Sequence, residues 1–75
     1  TELNPEHTIQ KTLCPSGGDQ IFLKNKTMHV AAYVKNFMFD PKIIKDKVST
    51  LSGGEANRLL LAKALINPGN LLILD

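Results

Sequence analysis

Seventy-five residues, 43% hydrophobic and 21% charged, are enough for one small hydrophobic core. Nine basic against seven acidic residues leave a net charge of +2 with the lysines scattered along the chain, too weak a field to argue for nucleic-acid binding. The single cysteine, Cys14, excludes an intramolecular disulfide and a multi-cysteine zinc site and suggests a reducing, cytoplasmic setting. Apolar runs such as residues 59–62 and 71–74 are far shorter than the ~20 residues that span a bilayer, and no charged start followed by an apolar stretch marks a leader, so membrane insertion is not expected.

Asn4-Pro5-Glu6 combines an N-cap, a first-turn proline and a first-turn acid, and Ile9 and Leu13 follow four apart, which predicts a short helix over residues 5–13. Pro15-Ser16-Gly17-Gly18-Asp19 is dense in breakers and reads as a loop. Gln20-Ile21-Phe22-Leu23 then favours an extended conformation, with Lys24-Asn25 as the tip of a small hairpin, because Asn tolerates the left-handed backbone of tight turns. Thr27 is the expected cap of a helix whose core face carries Val30, Tyr33, Val34, Phe37 and Met38 at spacings of three and four. That spacing makes Tyr33 and Phe37 packing residues rather than a base-stacking pair. His7 and His29 have no second metal-type ligand at useful spacing and are read as structural or surface residues. Asp40-Pro41 repeats the cap-plus-proline device for a short helix that ends near Lys47 and buries Ile43 and Ile44.

Ser52-Gly53-Gly54-Glu55 has the spacing of a capping box and opens a helix expected to run to Ile66, with Asn67-Pro68-Gly69-Asn70 ending it. Two glycines in a first helical turn cost stability and contribute no side chain, so their value lies in bare backbone. Free N–H groups at a helix N-terminus, aided by the helix dipole, suit a phosphate. Arg58, three residues after Glu55, reads as the partner of an i,i+3 ion pair rather than as a nucleotide ligand. Leu71-Leu72-Ile73-Leu74-Asp75 has four consecutive apolar residues without alternation, the pattern of a strand buried on both faces of a parallel sheet, and no other segment could pair with it in parallel. The chain is therefore expected to be part of something larger.

Leu51-Ser52-Gly53-Gly54-Glu55, then Arg58, a helix, Asn67-Pro68 and a hydrophobic strand ending in Asp75 resemble the signature-to-Walker-B segment of ABC ATPases, with 23 positions from the serine to the aspartate. The likeness extends upstream. Leu3-Asn4-Pro5-Glu6, Lys26 with His29-Val30, Tyr33, Phe37 to Phe39, Pro41-Lys42 and Asn57 to Ala62 are similar to the second ATPase domain of Uup-type ABC-F proteins; Asn25 and Ala56 depart from the expected glycine and charged residue.

The resemblance implies a mainly α fragment of an α/β P-loop ABC ATPase domain. Residues 1 to about 70 would be the helical signature subdomain with a short β-hairpin, and residues 71–75 the start of the Walker B strand. It further implies that Ser52, Gly53, Gly54 and Glu55 meet the γ-phosphate of ATP held on an opposing ABC domain, and that Asp75 positions Mg²⁺, through water. The general-base glutamate would follow Asp75, no phosphate-cradling Gly-rich loop is among these residues, and the fragment alone would be inactive. Relatives of this type act on ribosomes or are linked to nucleic-acid transactions, through other regions. The competing reading is the nucleotide-binding subunit of an ABC transporter. A free-standing helical interaction module is disfavoured by the expected terminal strand.

Overall fold

The computed structural model describes residues 3–66; the loop expected at 67–70, the strand at 71–75 and Asp75 lie outside the described residues. These 64 residues form three α-helices and a two-stranded antiparallel sheet. The order is α1 (Ile9–Leu13), β1 (Gln20–Phe22), β2 (Thr27–His29), α2 (Val30–Lys35), two 3₁₀ turns (Pro41–Lys45 and Val48–Thr50) and α3 (Gly53–Ile66). Ile9 of α1, Ile21 of β1, Val30 and Val34 of α2 and Leu59 of α3 are fully buried, so every α-helix and the hairpin contribute to one core.

The first helix starts later than expected. Asn4 caps a turn, accepting from the Glu6 amide through its side chain at 2.9 Å and from the His7 amide through its carbonyl at 3.1 Å, but the helix proper begins at Ile9 under a Thr8 cap. The reason is tertiary. Residues 7–9 lie alongside residues 46–48 as an antiparallel bridge between Thr8 and Lys47, with Ile9 N–H donating to the Asp46 carbonyl at 3.0 Å and Val48 N–H to that of His7 at 2.8 Å. An extended stretch is needed there, and it displaces the start of the helix.

The hairpin forms in the register Gln20↔His29, Ile21↔Met28, Phe22↔Thr27, closed by Leu23 N–H donating to the Lys26 carbonyl at 2.8 Å. Asn25 does not adopt a positive φ, so its left-handed tolerance is not what makes the turn. Gly17 (φ 99°) and Gly18 (φ 80°) do need it, in the loop ahead of β1. Thr27, expected to cap the next helix, is paired in β2; the cap is His29, whose Nδ1 accepts from the Ala31 amide at 3.0 Å while Nε2 stands 3.2 Å from Asp19 Oδ2. The Asp40-Pro41 cap forms as expected but starts a 3₁₀ turn, burying Ile44 and part of Ile43.

Met38 departs most from its expected place. It is 81% exposed at φ 68°, outside the core face that Val30, Tyr33 and Val34 build. Met38 N–H donates to the Lys35 carbonyl and Phe39 N–H to that of Val34, both at 3.1 Å, which is the Schellman ending of a helix with Met38 in the position usually given to glycine. A left-handed non-glycine residue costs ~1–2 kcal/mol, against ~0.5–1 for the extra unfolded-state freedom of glycine. Met38→Gly is therefore expected to stabilise the chain by about 0.5–1 kcal/mol, read as a raised urea midpoint at unchanged slope; a lowered midpoint would mean that the exposed side chain has packing value.

Candidate functional site

Helix α3 begins as its sequence predicts. The Ser52 carbonyl accepts the first helical bond, from Ala56 N–H at 2.8 Å; Ser52 Oγ accepts from the Glu55 amide at 3.2 Å, and Glu55 Oε1 accepts from the Ser52 amide at 2.9 Å. A helix start leaves its leading N–H groups without helical acceptors, and the box satisfies those of Ser52 and Glu55. The two between them belong to Gly53 and Gly54, which have no acceptor among the described residues and are exposed.

Nothing inside the described fold requires glycine at either position. Neither has a positive φ, and beyond its chain neighbours and its own turn of helix a Cβ built on either would meet no atom of the described residues within 4 Å. Alanine would make a better first turn. Two adjacent donors, a dipole end and no side chain in front of them are what the close approach of a phosphate oxygen would require. The Glu55 carboxylate, drawn back onto Ser52 N–H, places a negative charge beside that surface and limits how tightly an anion binds it unaided. The four expected residues Ser52, Gly53, Gly54 and Glu55 are thus brought together; Asp75, the fifth, lies outside the described residues.

Two bonds fasten α3 to the α2 end of the molecule. Tyr33 Oη donates to the Ala62 carbonyl at 2.7 Å in a buried contact, and Arg58 Nε donates to the Phe37 carbonyl at 3.1 Å. The Arg58 guanidinium also lies 5.3 Å from the centre of the Phe39 ring. The expected Arg58–Glu55 ion pair is not formed: among the described residues Lys47 pairs with Glu6, and His29 Nε2 stands beside Asp19. Glu55 is already bonded to Ser52, and Arg58 finds both a carbonyl and an aromatic face at the end of α2. Tyr33 and Phe37 pack at 5.1 Å between ring centres, as core residues. Burial pushes the Tyr33 hydroxyl above its ordinary range, so it remains a donor. Burial, with a smaller contribution from Asp19, likewise raises the Cys14 thiol and leaves it a poor nucleophile.

A family model described as ABC transporter matches residues 1–75. The chain belongs to the ABC transporter family. This ABC segment is 48% identical over 73 residues to the ATP-binding protein Uup of Caulobacter vibrioides, covering 97% of the chain and 12% of that relative. It is 47% identical over 73 residues to Uup of Buchnera aphidicola, again 97% and 12%, and 45% identical over 74 residues to Uup of Escherichia coli, 99% and 12%. The chain thus spans about 12% of the length of these relatives. No helix among the described residues is long and apolar enough to cross a membrane.

Proposed function

We propose that this chain is the helical signature subdomain of a cytoplasmic, ATP-hydrolysing ABC-F protein of the Uup type, with residues 1 to about 70 forming the subdomain and residues 71–75 entering the Walker B strand. The start of α3 contacts the γ-phosphate of ATP held on the opposing ABC domain of the same protein. The observation that carries this reading is the pair of open amides at Gly53 and Gly54, bare where the fold itself has no use for glycine. Ser52 would turn its hydroxyl from the Glu55 amide toward the phosphate, and Glu55 lines the same edge. Asp75 would hold Mg²⁺ through water; the ion, when bound, neutralises charge on the phosphates. Ribosome or nucleic-acid contacts would be made by other regions. The nucleotide-binding subunit of a transporter would use the same chemistry, but identity to Uup proteins along nearly the whole chain favours the first reading.

In this reading the signature is half of a composite site, and the 75 residues alone neither bind nor hydrolyse ATP measurably. A helix N-terminus contributes ~0.3–1 kcal/mol to an exposed anion contact and up to ~2 in a partly buried one, while a 1 mM dissociation constant requires about 4.1 kcal/mol. Further hydrogen bonds net ~0.5–1.5 kcal/mol each and must offset the ligand's lost freedom. Mg-ATP titrated into the isolated chain should leave the amide resonances of Gly53, Gly54 and Glu55 unsaturated at about 1 mM. Saturation below that concentration would overturn the composite site.

A further inference from the structure

We propose that Arg58 is a positioning residue for the signature, aiming the Gly53 and Gly54 amides by locking the first turns of α3 to the end of α2. The inference rests on the function proposed above. Arg58 is four residues beyond Gly54, and helical side chains lean toward the N-terminus, so its reach covers the turn that carries the two free amides. It does not use that reach for Glu55 or for solvent. Its Nε–H goes to the Phe37 carbonyl at 3.1 Å, partly buried, and its guanidinium lies 5.3 Å from the Phe39 ring centre.

The anchor itself is rigid. Phe37 and Phe39 flank Met38, whose left-handed backbone and two Schellman bonds hold the segment in one conformation, and Phe37 also packs on Tyr33. Tyr33 in turn donates to Ala62, one helical turn beyond Arg58. The two helices are therefore joined by reciprocal bonds, from α2 to α3 at Ala62 and from the α3 side chain to the end of α2 at Phe37. The Ala62 bond fixes how far along α2 the helix sits. Leu59 and Ala62 seat the middle of α3 in the core, and the Arg58 bond adds a tie nearer the signature, where Gly53 and Gly54 have no side chains to pack.

Lysine cannot replace this arrangement. Its ammonium carries charge but has neither a donor partway along a planar fork nor a flat face to lay on Phe39. Displacing reacting groups by about 1 Å costs up to ~100-fold in rate. In the full-length ATPase that carries this sequence, Arg58→Lys is expected to lower kcat about tenfold, within that limit. Affinity for ADP, which lacks the γ-phosphate, should remain unchanged, and the melting midpoint should fall by no more than a few degrees, the loss of one hydrogen bond and one aromatic contact. Arg58→Gln should show the same split with a larger loss. Equal losses of ATP and ADP binding, or a collapse of the melting midpoint with the kinetic loss, would make Arg58 an ordinary structural residue and overturn the proposal. Full activity of Arg58→Lys beside an inactive Ser52→Ala would overturn it alone, whereas full activity of both would remove the signature reading beneath it.

Discussion

Gly54→Ala is expected to strengthen the fold of this chain while, on the function proposed above, cutting ATP hydrolysis by the protein that carries it about 100-fold. The two effects have opposite signs because they arise on opposite sides of the same backbone. Within the described fold, the added methyl meets no atom inside 4 Å beyond its own turn of helix, and the position lies in α3 without a positive φ. Alanine is preferred to glycine in a helix by ~0.8–1.0 kcal/mol, somewhat less in a first turn, so a gain of about 0.5 kcal/mol is expected. Outside the fold, on the function proposed above, the methyl stands where a phosphate would approach the Gly53 and Gly54 amides. Loss of one preorganised donor to a charged transition state costs ~100–1000-fold, and a 1 Å misplacement up to ~100-fold. Urea melts of the chain and kcat of the full ATPase decide the matter together. A less stable variant would place a neighbour against Gly54 that the structure lacks, and unchanged hydrolysis would show that nothing approaches these amides closely.

Leu59→Ala should leave the isolated chain largely unfolded at room temperature, whereas Leu61→Ala, two residues along the same helix, should barely register. Leu59 is 0% exposed and Leu61 is 55% exposed. Truncating a fully buried leucine costs ~2–5 kcal/mol, through lost transfer energy and the cavity left behind. A core of this size supplies only ~3–5 kcal/mol of net stability, so the first variant removes most of it. An exposed position away from caps and networks stays within ~0.5 kcal/mol. Far-ultraviolet circular dichroism against temperature separates the two; equal losses would mean that α3 is rotated relative to the face described above.

What could be read from the residues was whatever depends on near neighbours. The α3 capping box needs only Ser52 and Glu55, the cap of the first 3₁₀ turn needs only Asp40 and Lys42, and the hairpin announces itself by breakers on one side and extended residues on the other. Errors fell where a distant partner decided the outcome. Thr8 rather than Asn4 begins α1 because residues 46–48 pair with residues 7–9. Thr27 joins a strand because Phe22 lies opposite it. Arg58 ignores Glu55 because the end of α2 offers a carbonyl and a ring that no helical spacing reveals. Met38 fitted the apolar repeat and still lies outside the core, because the Schellman turn reverses the chain before the repeat is complete. At the candidate site, the motif marks Gly53 and Gly54, but only the folded structure separates amides that the box consumes from amides that it leaves open.

The antiparallel seam between residues 7–9 and 46–48 has a temporal consequence. Its members, like the Glu6–Lys47 ion pair whose partners are 41 positions apart, are synthesised far from one another in the chain. At ~5–20 residues per second, a ribosome takes a few seconds to deliver the second half of the seam after the first. Until then residues 7–9 lack their pairing partner, and the lead-in to α3 lacks the seam that holds it. Closing so long a loop is entropically costly, so the seam gains its hold only after the intervening hairpin and α2 have shortened the distance. The first turn of α3 thus acquires its direction late, once the seam has closed and Arg58 has reached Phe37 as the nascent protein emerges.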